Sequence, residues 1–360
     1  MPPHPLLALA RTLGNPVLGG DVATLIWQGE SAPLLIDDLH KWDDSPQKML
    51  RAGANLWSFS MPLPSDAYLE YSFIDPPTGE RIPDPLNPHR VNNGVNGYNN
   101  YFYMPKGKPS PLARPQKGVA RGTVTRHAVL TGDYAAGTKR IVYLYHPPVD
   151  GPVPLLFVYD GPDYLRRAKL NVIVDNLFAE KRIRPFAMAL VQNGGAARTI
   201  EYSCSESTIG FLMECVLPVA KEHFNLEPVN YGGYGVMGSS LGGSMALFTA
   251  LRLPQVFHKV LSQSGAFIAP DYQFVVVDLV KCAPPPEIDI WMDAGRLDWL
   301  LDGNRQMYAL LKEKNYPVKY HEFSGGHNYT AWRDDIWRGL ESLYYNNDPP
   351  AGESPDARFN

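Results

Sequence analysis

At 360 residues the chain exceeds the usual size of one domain, and 44% hydrophobic against 19% charged residues supply a sizeable core rather than a disordered polymer. A formal net charge of −4, with no Lys/Arg run interleaved with aromatics, argues against nucleic acid as a partner. The three cysteines, Cys204, Cys215 and Cys282, are an odd number with no CxxC pair, which argues against a disulfide framework or zinc knuckle and leaves buried structural thiols as the expectation.

Residues 1–17 read as an N-terminal extension. Its short apolar stretch, Leu6 to Ala10, has no basic residues before it and Arg11 directly after, which makes a poor signal peptide. No run of about 18 apolar residues occurs, so no membrane span is expected. A reduced, cytoplasmic setting follows as an expectation.

Residues 18–106 carry short runs of β-formers, VATLIWQG, ANLWSFSMPL and AYLEYSFID, separated by Pro, Asp and Gly turns. They predict a small β-sandwich. Residues 107–118, GKPSPLARPQKG, concentrate proline, glycine and basic residues, the composition of an interdomain linker.

From 119 to 345 the pattern changes. Apolar runs such as KRIVYLYHP, VPLLFVYDG and RPFAMALVQN alternate with helical segments such as NVIVDNLFAEK and STIGFLMECVLPVAKEHF. Continuous apolar strands are what a sheet covered on both faces requires, so a mostly parallel sheet flanked by helices is predicted. VKYHEFSGG is read as the last strand, a closing helix is expected around Asp334 to Tyr345, and residues 346–360 are read as a disordered tail.

The stretch YGVMGSSLGGSMALFTALRLP joins a β-rich run to an amphipathic helix through a glycine-serine turn. Gly238 and Gly242 flank Ser240 two residues away on each side, giving G-x-S-x-G in the strand-turn-helix context of a nucleophile elbow, the hallmark of the α/β-hydrolase fold. There the nucleophile occupies a strained conformation, and close packing of strand against helix crowds out side chains at the flanking positions. An ordinary glycine-rich turn is the bland alternative. Chain order favours the nucleophile, because a carboxylate and a histidine follow in the sequence Ser, Asp, His.

His327 lies in the glycine turn Phe323-Ser324-Gly325-Gly326-His327 after a strand, where it can act as general base. Its orienting acid is expected in IDIWMDAGRLDWLLDGNRQ. Asp293 belongs to the strand and Asp302 suits the opening of the next helix, so Asp298 is preferred, with Asp302 still open. The oxyanion hole calls for the amide after the nucleophile, Leu241, and one from the Asp160-Gly161-Pro162 turn. Proline has no N–H, which leaves Gly161. Arg198 is a candidate for an anionic substrate, against a salt bridge with a residue such as Glu201. Tyr329 and Trp332 are candidates for the acyl pocket wall, against core packing of Trp332. No cofactor is needed for this chemistry.

The segments LLFVYDG, VIVDNLFAEKRIRPFAMALVQNG, RTIE, ECVLPVAKEHF, GSSLGG, AGRLD and GGHNYTAWR together resemble the enterochelin (enterobactin) esterases, within a wider esterase D group that includes feruloyl esterases and mycolyl transferases. DVATLIWQG, YLEYSFID and IPDPLNP resemble, more loosely, that family's immunoglobulin-like β-sandwich, which is shared with starch-binding modules. The resemblance implies an α/β-hydrolase preceded by that sandwich, and a triad of Ser240, Asp298 and His327. It also implies a small-molecule ester substrate of the ferric catecholate siderophore class. A homodimer is compatible with it. A feruloyl, acetyl or general carboxylesterase is the rival of the same chemistry; a catalytically silent binding module is the rival of another class. Asn328 departs from the family, where Asp often follows the histidine, and residues 90–106 are unusually rich in Asn and Tyr.

Overall fold

The computed structural model describes residues 4–94, 97–269 and 272–346. The expected tail, from residue 347 on, lies outside them. The chain divides into two compact units. One is the chain up to Pro109, with Gly295–Trp299 and Phe323–Ala331; the other is Ser110–Ala294, Leu300–Glu322 and the chain from Trp332. The division at Pro109 falls within 107–118.

The first unit holds two antiparallel sheets. Val17–Gly19, Val22–Gln28, Leu56–Pro62 and Leu50–Gly53 make one; Gln47–Lys48, Leu34–Asp37, Tyr68–Ile74, Tyr98–Tyr103 and Arg90–Asn92 are the path of the other. Leu25 and Met61 from the first meet Leu35, Leu69, Tyr71, Phe73 and Phe102 from the second in one apolar core. Alternation in Tyr68–Ile74 puts Leu69, Tyr71 and Phe73 into that core and Tyr68, Glu70 and Ser72 on the opposite face. The opposite face is buried as well, so the strand lacks the exposed polar positions of a one-sided sheet.

The residues read as an extension contain a helix, Pro5–Leu13, started by Pro5 and packed through Leu7 and Ala10 on Ile26 and Leu56. The Asn- and Tyr-rich composition has a structural cause. Asn87, Asn99 and Asn100 are buried, and each spends its amide on a defined partner. Asp84 accepts from the Tyr71 hydroxyl and from Asn15 Nδ2, both at 2.6 Å, while its own N–H donates to Asn100 Oδ1. Burial still raises the Asp84 carboxyl above its ordinary range.

The second unit is built on an eight-stranded sheet. Its strands are β1 (Thr123–Leu130), β2 (Lys139–His146), β3 (Leu155–Val158), β4 (Ala187–Val191), β5 (Gly235–Ser239), β6 (Lys259–Gln263), β7 (Asp289–Gly295) and β8 (Val318–Phe323), in the order β1-β2-β4-β3-β5-β6-β7-β8. β1, β2 and β4 pair antiparallel, whereas β4, β3, β5, β6 and β7 are parallel. Every position of β3, β4 and β5 is buried, the signature of a sheet with helices on both faces. With these layers the chain has the α/β-hydrolase fold, preceded by antiparallel sheets. No helix among the described residues is long and apolar enough to cross a membrane.

Three local expectations change. The segment STIGFLMECVLPVAKEHF is not one regular helix: Glu206–Gly210 and Leu217–His223 flank a wide π-helical stretch, Phe211–Val216, just before Pro218. A proline clashes with the carbonyl four residues back, and the widened turn relieves that clash. The closing helix is two helices, Tyr329–Asp335 and Trp337–Tyr344, and the first begins directly after the His327 turn. Of the cysteines only Cys204 is buried, which pushes its thiol up to about 11; Cys215 is half-buried and Cys282 exposed at the end of helix Val275–Cys282. Spacing along the chain carried no information about which face of that helix Cys282 would occupy. The segment from Ser110 is also fastened, since buried Asn176 donates to the carbonyls of Leu112 and Arg114.

Tyr71→Phe keeps the ring in the sandwich core but removes the donor to Asp84 and the acceptor for Asn87. It is expected to lower stability by about 1–3 kcal/mol, read from urea unfolding at pH 7. A change below 0.5 kcal/mol would show that the Asp84 network adds little.

Candidate active site

Ser240 joins β5 to the helix α1 (Leu241–Arg252) at φ 57° and ψ −125°, a region that L-residues avoid. Its backbone is held on both sides. The Ser240 N–H donates to Gln263 O at 2.9 Å, and its carbonyl accepts from Ala266 N–H at 2.9 Å and Gly243 N–H at 3.0 Å. The turn is thus tied to the end of β6 and the loop after it.

The glycines around it are not equivalent. A Cβ on Gly238 would overlap the backbone of Gly242, so that position admits no side chain. On Gly242 a Cβ would sit 3.3 Å from Tyr159 Cβ and from Asp160 Oδ2, which is tight but not an overlap. Gly243, outside the motif, is more crowded, at 2.6 Å from Ser262 Oγ. The steric demand read from G-x-S-x-G is therefore shared between Gly238 and Gly243.

Below the turn lies a buried polar layer. The Tyr164 hydroxyl donates to Gln263 Oε1 at 3.1 Å, and Gln263 Nε2 donates to Asp293 Oδ2 and to the Trp332 carbonyl, both at 3.3 Å. Trp291 donates to the same Asp293 oxygen, and Trp332 donates its indole N–H to Ser264 Oγ at 3.0 Å. Asp293 is thus committed within the sheet, and Trp332, 3% exposed, is packed in the interior.

Leu241 and Gly161 each open a helix, α1 and the short Gly161–Arg166, so their amides lie in first turns that offer no intrahelical carbonyl. Gly161 packs on β4 so closely that a Cβ would overlap Leu190. Before it, Asp160 adopts a left-handed conformation, φ 53° and ψ 36°, with its carboxylate buried. Arg198 grips that carboxylate through Nε (2.9 Å) and Nη2 (2.7 Å), and Asn193 Nδ2 adds a third bond at 2.6 Å. The guanidinium lies 5.1 Å over the ring of Tyr202, whose hydroxyl accepts the Asp160 N–H. Arg198 is therefore engaged by Asp160, and Glu201 by Arg140 at 2.7 Å. Nothing in the spacing of RTIE discloses Asp160, 38 residues earlier.

In the other unit, His327 Nδ1 lies 2.9 Å from Asp298 Oδ2, with Asp298 5% exposed. Backbone bonds bring the two loops together: Arg296 N–H to Phe323 O (2.8 Å), Leu297 N–H to Gly325 O (3.0 Å) and Asp298 N–H to Gly295 O (3.1 Å). A Cβ on Gly295 would overlap the Gly325 carbonyl. Asp302 opens the helix Leu301–Glu313 with its side chain 86% exposed, 3.6 Å from Arg305. Of the three carboxylates considered, Asp298 is the one at the imidazole. Tyr329 is buried. Trp299, which sequence reasoning passed over, is 42% exposed with its ring 5.4 Å from His327; its place directly after the acid was the available signal.

Comparison with known proteins gives concordant results. A family model described as "Putative esterase" matches residues 134–343. An iron(III) enterobactin esterase of Escherichia coli K12 is 23% identical over 340 residues, covering 85% of this chain and 84% of that protein. One from Dickeya dadantii is 26% identical over 235 residues; that match takes in 59% of this chain and only 53% of its relative, about half its length. The crystal structure of ferric enterobactin esterase from Salmonella typhimurium superposes with a TM-score of 0.73 at 21% identity, over 89% of this chain and 93% of that one.

Arg198→Ala takes both guanidinium bonds from a buried carboxylate. A loss of about 1.5–3 kcal/mol in unfolding free energy is expected, with Arg198→Lys recovering only part because an ammonium cannot span both oxygens. Equal stability of Arg198→Ala and wild type would mean that the Asp160 pair contributes nothing.

Proposed function

Since this chain belongs to the putative-esterase family and is a carboxylic ester hydrolase, we propose that it works by a serine mechanism: Ser240 is the nucleophile, His327 its general base and Asp298 the group that orients the base. The observation that carries the reading is the Ser240 backbone itself, held at φ 57° and ψ −125° between Gly238 and Gly242. Strain of that kind persists only where the surroundings over-determine it, and it is concentrated at functional turns.

Further support comes from chain position. Ser240 follows β5 and Asp298 follows β7, and in α/β sheets the residues after the carboxyl ends of parallel strands supply the reactive groups; His327 follows β8, the next strand in the sheet. Asp298 accepts from Nδ1–H of His327, which leaves the lone pair on Nε2 as the proton acceptor.

The steps are those of acyl transfer. His327 Nε2 takes the proton of Ser240 Oγ as that oxygen bonds to the ester carbon, and the carbonyl electrons move onto oxygen. The Leu241 and Gly161 amides donate to this oxyanion. Collapse returns the proton from His327 to the departing alcohol and leaves an acyl-serine. Water, deprotonated by the same histidine, then adds to the acyl carbon, and collapse breaks the bond to Ser240 Oγ, which takes the proton back from His327 as the acid leaves. No cofactor takes part.

For substrate we propose a catecholate siderophore ester, free or carrying iron as cargo. The names of the enterobactin esterase relatives support it, together with the exposed Trp299 ring beside His327, an apolar face on which a planar acyl group can stack. Arg198 serves an anionic substrate only through the exposed remainder of a guanidinium already bound to Asp160. Tyr329 and Trp332 are both buried, so neither offers an exposed ring to a substrate. A cytoplasmic location fits this substrate.

Ser240→Ala is expected to lower kcat for p-nitrophenyl esters by about 10⁴–10⁶-fold with unfolding unchanged; near-normal turnover would refute the nucleophile. Asp298→Asn is expected to cost about 10³–10⁴-fold, and Asp302→Asn less than about twofold; the reverse ranking would move the acid to Asp302. A hydrolysis panel setting enterobactin and its ferric complex against feruloyl, acetyl-xylan and short p-nitrophenyl esters checks the substrate. Preference for any ester outside the first pair would remove the siderophore reading.

A further inference from the structure

With His327 taken as the general base above, we propose that Asp38, a carboxylate at the end of strand Leu34–Asp37, is a positioning residue that holds the histidine's turn through Asn328. Asp38 is buried, and both its oxygens are in use. Oδ1 accepts the Trp42 indole N–H at 3.1 Å; Oδ2 accepts the Glu70 N–H at 2.8 Å and Asn328 Nδ2 at 3.0 Å. Its own N–H returns a bond to Glu70 O, so the carboxylate is a fixed point on the strand Tyr68–Ile74.

Asn328 is held at both ends of its amide. While Nδ2 donates to Asp38, Oδ1 accepts the Ala331 N–H at 2.9 Å and so caps the helix Tyr329–Asp335. On the other side of the histidine, Gly326 packs so tightly that a Cβ would overlap Asp38 Cβ and Cγ. Two residues further back, Ser324 O accepts the Tyr68 N–H at 2.9 Å. His327 thus stands between two residues that both touch Asp38. Its backbone is set by that carboxylate, and its ring by Asp298.

The identity of residue 328 acquires a reason. Asparagine caps the helix and donates at once; aspartate could cap but would set a second carboxylate against Asp38. Burial, and then the neighbouring charge of Glu70, already raise the Asp38 carboxyl well above its ordinary range. A carboxylate at 328 would add to that repulsion.

Three variants and one control test the role through kcat and KM on a p-nitrophenyl ester, with thermal unfolding measured alongside. Asn328→Ser keeps a capping oxygen and removes the link to Asp38; kcat is expected to fall about 10-fold or more, with KM changed less than kcat. Asn328→Asp is expected to lose about 10²-fold in kcat, the scale of an ångström's misplacement of a catalytic group. The reversed pair, Asp38→Asn with Asn328→Asp, restores one amide-carboxylate bond and is expected to regain at least tenfold over Asn328→Asp alone. A merely structural role would lower the unfolding midpoint and leave kcat of the folded enzyme untouched. Wild-type kcat in folded Asn328→Ser, or no recovery in the reversed pair, overturns the proposal. The control is His327→Ala: if it is inactive while Asn328→Ser is normal, the positioning role alone fails, and if it retains near-normal turnover the base assignment falls and this role with it.

Discussion

The strained backbone at Ser240 is the constraint on which the proposed chemistry depends. A residue at φ 57° and ψ −125° returns to an ordinary conformation unless its neighbours forbid it. Here the Gln263 carbonyl, the Ala266 amide and the first amides of α1 all hold the Ser240 peptide, and Gly238 and Gly243 let the helix approach the sheet. The free energy stored there comes from the packing of β5, β6 and α1, whose positions are almost wholly buried. The hydroxyl is presented by the sheet, not by its own rotamer.

Around that turn and around the histidine, buried charge is used for orientation. Asp160 and Asp38 are both carboxylates taken out of water, which is costly unless every oxygen is matched by a donor. Arg198 and Asn193 match the first; Trp42, the Glu70 amide and Asn328 match the second. Each network has few geometric solutions, so it fixes the backbone beside it: Gly161 in one case, His327 in the other. Apolar packing alone would tolerate more variation at both places.

Much of the candidate site was legible in the chain. G-x-S-x-G between a β-run and an amphipathic helix marked Ser240, and a histidine in a glycine turn after the last strand marked His327, because these are local demands of sterics and reach. The α/β architecture was legible for a similar reason, since strands buried on both faces must be apolar throughout. The Asp38 and Asp160 partnerships were not, because their donors lie 290 and 38 residues away. Asn99 and Asn100 looked like part of an oddity of composition until their amides were traced to buried partners.

The sequence by itself determined the order of elements, the alternation that buries the sandwich core, the glycine punctuation of the elbow and the supply of three carboxylates near one strand end. All of these depend on neighbours a few residues apart. Only the tertiary structure decided that Asp298, and neither Asp293 nor Asp302, meets the imidazole, that Arg198 serves Asp160, and that Asn328 answers to Asp38. Hydrogen bonds act over about 3 Å whatever the separation along the chain, so their partners become readable only once the strands have been paired and the loops between them closed.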